Sequence, residues 1–279
     1  MTYHSPASPA MQAATFDDST PNGLLSADGF SKGYDEPRDF DEIPFCGFEG
    51  AKPFTLPLLT EKEVKERIEE RERTGNRLRD KIKLGGRKIK NQNGIGFCWG
   101  FCAASAVETR IVAMGMPFVS LSPASVCAPI VNFANRGGWP TKWLEWAAKN
   151  GVATSEHWPD YDRDRGRMDA PGVLADRKLY VPTEFVDLDA RKDKEEAWWE
   201  AICCMVCDIP VCVGQMHWGH AVMLTDPVIG RNGEIGNELE NSWRESWGDG
   251  GYGRQFGSKK YFEEGVAVHT VKAVPATAA

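Results

Sequence analysis

No stretch of this 279-residue sequence holds the roughly 20 consecutive apolar residues that a membrane-crossing helix needs. Positive charge is not in excess either. Asp and Glu number 40 against 33 Lys and Arg, a net charge of −7, which argues against a nucleic-acid binder. The opening residues Met1-Thr2-Tyr3-His4-Ser5-Pro6 lack a basic region followed by an apolar core, so no secretion signal is expected. No internal repeat is found, so the chain does not read as a repeat array. The eight cysteines (Cys46, Cys98, Cys102, Cys127, Cys203, Cys204, Cys207 and Cys212) cluster instead of spreading as a disulfide framework. Cys203-Cys204-Met205-Val206-Cys207 hints at a metal site. It has only His217 nearby and no second Cys or His pair to complete a four-ligand shell. Buried free thiols are expected there, with no metal and no cofactor.

What the chain does have is a composition ordinary for a soluble globular protein, apart from a high count of ten tryptophans. Its length suffices for one domain or two tightly joined halves. Residues 1–58 read as an extended acidic arm rich in Ser, Pro, Gly and Asp, with scattered apolar residues. Such a segment buries too little apolar surface to offset its own ordering entropy. The rest of the chain, or a neighbouring subunit, must hold it. Residues 59–84 read as one charged helix, opened by the capping-box pattern Thr60…Glu63. Val64, Ile68, Leu78 and Ile82 form its narrow apolar stripe, and Gly75 is a point where it bends or ends. That helix is a solvated one packed by one edge or an inhibitory segment. The run Arg87-Lys88-Ile89-Lys90 reads as a solvated entry strand, its charge offset by the acidic arm.

One stretch organises the remainder: Asn91-Gln92-Asn93-Gly94-Ile95-Gly96-Phe97-Cys98-Trp99-Gly100-Phe101. A Gly-containing loop runs into Cys98, and a helix follows to about Met114. A thiol in the first helical turn sits where backbone N–H groups and the helix dipole favour a thiolate. Gln92 can fold back and offer its amide to an oxyanion beside Cys98. A buried core cysteine is the other reading, and Cys102, one turn on, competes as the reactive thiol. Downstream, Gly219-His220-Ala221-Val222-Met223-Leu224 sets a histidine at the edge of a strand-like run, with His217 as its rival. Asn241-Ser242-Trp243-Arg244-Glu245-Ser246-Trp247 follows, then Gly250-Gly251-Tyr252-Gly253. A thiol nucleophile needs a base, and the base needs a group that fixes its tautomer. Cys98, His220 and Asn241 can fill those roles.

Their order resembles the papain family of cysteine proteases. His220 and Asn241 lie about 120 and 140 residues beyond Cys98, near the family's separation of about 130–150. The resemblance covers about residues 86–265. It implies an α+β papain-like fold, a helical lobe plus a β-barrel lobe with the active-site cleft between, spanning residues 85–272, with 273–279 as a tail. It implies a cysteine-type peptidase acting on a peptide or protein through an acyl-enzyme. Cys98 would be the nucleophile, His220 the base, Asn241 its orienter and Gln92 an oxyanion donor. Trp243 would shield the His–Asn bond, Gly137 and Gly138 would bind substrate backbone, and Trp247 would line the leaving-group side. Secreted members carry a disulfide between positions that are Ile95 and Asn135 here. Its absence, with the missing signal, implies a reducing cytoplasm. The alternative is a structural or adaptor subunit of a large, even viral, assembly that retains the fold.

Elsewhere, Ser122-Pro123 opens a second helix to Asn132, and Thr141–Asn150 forms a third, ended by Gly151. Residues 161–176 read as a surface loop. Leu179-Tyr180-Val181 and Glu184-Phe185-Val186 read as short strands, and Lys194–Val206 as a helix. Strands are expected at Pro210–Gly214, Ala221–Leu224, Glu238–Trp243 and Tyr252–Phe256. Arg231-Asn232-Gly233-Glu234 reads as a hairpin turn.

Overall fold

The computed structural model describes residues 15–21, 32–34, 51–188 and 193–273. Cys46 and most of the acidic arm lie outside them.

Two short strands come first, β1 (Thr15–Phe16) and β2 (Ala51–Pro53). Helix α1 (Glu61–Thr74) begins at the expected capping box: the Thr60 side chain accepts from the Glu63 amide, and the Thr60 amide donates to Glu63 at 2.7 Å. The single helix expected over 59–84 is in fact two. Gly75 adopts a left-handed φ of 63° and closes α1, a conformation that costs other residues a Cβ clash. Helix α2 (Leu78–Leu84) then starts afresh.

Helix α3 (Cys98–Ala113) is buried almost all round, because Gly100 and four alanines let its neighbours approach. A Cβ on Gly100 would lie 2.0 Å from the Cys127 sulfur. α4 (Ala124–Ile130) and α5 (Pro140–Asn150) pack beside it. The loop expected over 161–176 contains the start of a helix, α6 (Pro171–Leu179). Pro171 presets its first turn, and buried Val173 and Asp176 dock it. Then come β3 (Tyr180–Leu188), α7 (Lys194–Val206), β4 (Val211–Gln215), β5 (His220–Ile229), β6 (Ile235–Glu240), β7 (Tyr252–Gln255) and β8 (Glu264–Ala273). The two short strands expected near 179–186 are one strand. It shifts register between Pro182 and Phe185, where proline has no N–H for the ladder.

The strands form one sheet in the order β1-β7-β6-β5-β4-β8-β3-β2. Among the described residues it does not close into a barrel; β1 and β2 are its edges. Both faces are covered. Cys212, Ala221 and Met223 join the cluster around α3, while Val211, Val213, Val222 and Leu224 join the cluster under α1 and α7. Successive strand residues point to opposite faces, so one run of apolar residues serves two cores.

The basic run 87–90 departs from its expected role. Arg87 and Lys90 are buried beneath α3. Arg87 donates to Glu108 at 2.8 Å and to both Glu240 oxygens at 2.5 and 2.6 Å. Lys90 pairs with Glu108 at 2.9 Å and Asp160 at 3.4 Å. Burial works against the Arg87 charge, yet Glu240 and Glu108 hold its pKa above the ordinary arginine value. The neutralising carboxylates come from the core. Sequence position could not reveal this, because Glu108 and Glu240 belong to different elements.

Candidate active site

The site lies where the N-terminus of α3 faces the start of β5. Cys98 is the first residue of α3 and is fully buried. The loop before it is fixed from two sides. On one, the Gly96 amide donates to Asn135 Oδ1 at 2.7 Å. That bond ties together the two loops that a disulfide would join in secreted papain-like enzymes. On the other, the Gln92 amide donates to the Ser242 carbonyl at 2.8 Å, and Asn91 bridges Trp243. The Gln92 side chain is clamped at both ends: Nε2 donates to the Ile95 carbonyl at 3.0 Å, and Oε1 accepts from Ser242 Oγ at 2.6 Å.

His220 opens β5 and is fully buried, with Nε2 2.9 Å from Asn241 Oδ1. With Nε2–H donating to that oxygen, Nδ1 is the basic nitrogen. Trp243 lies over the imidazole at 4.6 Å between centroids, and Trp218 meets it at 5.0 Å. Those rings keep water from the His220–Asn241 bond. Burial pulls the His220 pKa down to about 4; the bond to Asn241 opposes this and Lys32 adds to it. His217 is also lowered to about 4 by burial, with Lys259 contributing, and its Nε2 has no hydrogen-bond partner among the described residues.

The competing thiol is a core residue. Burial holds the Cys102 pKa well above the usual thiol value, and the Cys212 thiol donates to the Cys102 carbonyl at 3.7 Å. Cys203 and Cys204 are likewise raised by burial, and Leu59 N–H points at the Cys203 sulfur at 3.5 Å. Among the described residues no group of three or more His, Cys, Asp or Glu is placed to hold a metal.

A segment that the sequence reading did not single out covers the site. Lys32, Gly33 and Tyr34 lie across it from the distant arm. Gly138 donates to the Gly33 carbonyl at 2.9 Å, and Tyr34 pairs with Gly138 in a parallel bridge. A Cβ on Gly33 would sit 2.0 Å from the Gly96 carbonyl oxygen, so only glycine fits. Lys32 touches both walls. Its carbonyl lies 3.2 Å from where a Gly96 Cβ would be, and its Cδ lies 3.9 Å from the same point on Gly219. Gly96 precedes Cys98 by two residues and Gly219 immediately precedes His220, so the segment passes between the two halves. Trp247 is buried as well, stacked between Phe16 of β1 at 5.9 Å and Trp218 at 6.1 Å.

The structure thus gathers Gln92, Cys98, Gly138, His220, Asn241 and Trp243 around one cleft, and places Trp247 behind, beneath the arm. Trp218, Ser242 and residues 32–34 were missed. Ser242 and Trp218 stood beside singled-out residues and could have been suspected. Residues 32–34 carried no local signal.

Comparison with known proteins agrees with the geometry. A family described as papain family cysteine protease matches residues 78–215. Zingipain-2 of Zingiber officinale is 27% identical over 59% of this chain and 79% of its own length. Fruit bromelain of Ananas comosus is 27% identical over 60% of this chain and 50% of its own. The chain thus spans only about half of some relatives. Among solved structures, digestive procathepsin L 3 of Tenebrio molitor superposes with a TM-score of 0.53 at 20% identity, over 65% of this chain and 66% of the other. The ragweed pollen cysteine protease Amb a 11, in its proform, gives 0.52 at 15% identity over 89% of this chain and 74% of the other. At these identities the superpositions speak for the fold.

Proposed function

This chain belongs to the papain family of cysteine proteases, and we propose that it hydrolyses peptide bonds with Cys98 as nucleophile and His220 as base. The observation that carries this reading is the 2.9 Å contact of His220 Nε2 with Asn241 Oδ1. It assigns the basic lone pair to Nδ1 without adding a charge to the site. His220 Nδ1 takes the Cys98 proton, and the thiolate attacks the substrate carbonyl carbon. The oxyanion that forms is held by the Cys98 N–H, at the positive end of α3, and by the Gln92 amide. Ser242 and the Ile95 carbonyl hold Gln92 in place, so little reorganisation is needed as charge develops. The C–N bond breaks as the imidazolium returns its proton to the leaving amine, giving a thioester. Water, deprotonated by His220, then attacks the thioester; the acid leaves and the thiol is restored. No cofactor enters any step.

Gly138 supports the backbone-binding role, since its N–H already holds a peptide carbonyl, that of Gly33. The same contact implies that the chain rests covered by its own residues 32–34. Superposition on a proform over 89% of this chain fits that view. The arm's described parts are held by the chain itself, through β1 on β7, Tyr34 on Gly138 and β2 on β3. Nothing in this geometry calls for an assembly.

Cysteine alkylation, read residue by residue by mass spectrometry, tests the proposal. In a Tyr34→Ala chain, which loosens the cover, Cys98 should react at least about tenfold faster than Cys102 near pH 5–6. His220→Ala should abolish that difference. Equal rates at Cys98 and Cys102 in both chains would overturn the reading.

A further inference from the structure

The contact that covers the cleft also measures a pocket. Gly33 gives its carbonyl to Gly138, and the next residue, Tyr34, sends its ring inward until only 7% of the residue is exposed. The ring ends on β4. A Cβ built on Gly214 would lie 2.1 Å from Tyr34 Cε2 and Cζ, and 2.6 Å from the hydroxyl oxygen. The phenol therefore fills the volume that a side chain at 214 would take. Gly214 shares the face of Cys212, the face turned toward α3.

The register of β4 with β8 places Glu264 opposite Gly214. Opposed residues of an antiparallel pair project to the same face. The Glu264 carboxylate thus enters the space that Gly214 leaves open, at the phenol end of the ring. It is 2% exposed. One of its oxygens accepts from the Thr141 amide at 3.3 Å and from the Thr141 hydroxyl. Thr141 is three residues past Gly138, so the carboxylate is anchored to the segment that holds the peptide backbone. A carboxylate has about four acceptor sites, and a phenol O–H arriving along β4 meets this one head-on.

We propose that this pocket sets the chain's specificity and selects tyrosine, at the substrate residue whose backbone lies along Gly138. Gly214 admits the ring, and Glu264 accepts the hydroxyl proton. The inference rests on the peptidase reading and sharpens its substrate class. The pocket engages a side chain alone, so a peptide running either way past Gly138 can fill it. Tyr34 is then a built-in occupant that a substrate tyrosine must displace. A hydrogen bond to a charged acceptor implies a preference for Tyr over Phe of about 10- to 100-fold. Loss of fit in an apolar pocket costs Leu a further factor of about ten.

The test uses the full chain carrying Tyr34→Ala and four peptidyl vinyl sulfones that differ in one side chain: Tyr, Phe, Leu or Arg. Labelling of Cys98 is followed by mass spectrometry. The Tyr probe should label fastest, at least about tenfold ahead of Phe. Adding Glu264→Ala should bring the Tyr:Phe ratio near one. Adding Gly214→Val should instead slow both aromatic probes relative to Leu. Ratios within one variant do not depend on how much of it folds, and the milder Gly214→Ala should move them the same way. Iodoacetamide serves as the control. If it fails to favour Cys98 over Cys102, the peptidase reading falls. If it favours Cys98 but Tyr and Phe label equally, or Arg labels fastest, the reading stands and the tyrosine pocket is overturned.

Discussion

Two segments that precede the catalytic region are bound to it by opposite means. Helix α1 lies behind the sheet. Val64 and Ile68 enter the core there, and Arg71 reaches the Met205 and Val206 carbonyls, Asp208 at 2.8 Å and Asp226 at 3.1 Å. Residues 32–34 lie across the cleft. They hold on through one backbone hydrogen bond, a glycine-on-glycine approach and one ring. The first kind of contact uses side chains that no passing peptide carries. The second uses what any peptide has, a carbonyl and a side chain. A segment held in the second way can be exchanged for substrate; one held in the first way cannot.

The sharpest way to break the comparison is Arg71→Ala. It leaves Asp226 buried without its guanidinium and should cost about 3–5 kcal/mol of stability in a denaturant melt. Cys98 alkylation below the transition should stay slow, because the cover is untouched. A mutant that melts normally would mean that α1 is no better anchored than residues 32–34.

Acid should act on the cleft side through its histidines. His220 and His217 take their protons only near pH 4 in the folded chain, while unfolded histidine does so near 6.5. Over that interval the unfolded form binds more protons, so stability falls as pH drops from about 6.5 to about 4. The loss is roughly 3 kcal/mol for each histidine. His217→Gln should remove about half of this slope in melts taken across the range. An unchanged slope would show that His217 already carries its charge in the fold.

Tyr34→Ala should raise the Cys98 alkylation rate about tenfold while shifting the melting temperature less than Arg71→Ala does. The reverse order of effects would make residues 32–34 a structural strap. The smallest change is Thr60→Ala, which removes the α1 cap and should cost about 1 kcal/mol with no effect on Cys98.

Much of the helical half was legible because its signals are local. The Thr60…Glu63 box, Gly75, Gly151 and the alanine-rich face of α3 announce themselves within a turn or two. The break at Gly75 was visible as a weak point, yet a bend and a stop look alike until the glycine's φ is known. The helix beginning at Pro171 was hidden by the charged, glycine-containing residues before it. The two short strands near 180 merged because β8 supplies a partner along the whole length of β3, despite Pro182.

The sequence by itself determined the chemistry on offer: a cysteine entering a helix, a histidine opening a strand, and an asparagine followed by tryptophan, in one order and spacing. Each is a statement about a residue and its near neighbours, which local pattern can carry. Tertiary structure alone decided which charges are neutralised and what fills the cleft. Arg87 finds Glu108 and Glu240, and Tyr34 finds Gly214, across 21, 153 and 180 residues of chain. Such pairings depend on strand register and on the space a missing Cβ leaves. Neither is a property of any one stretch of sequence.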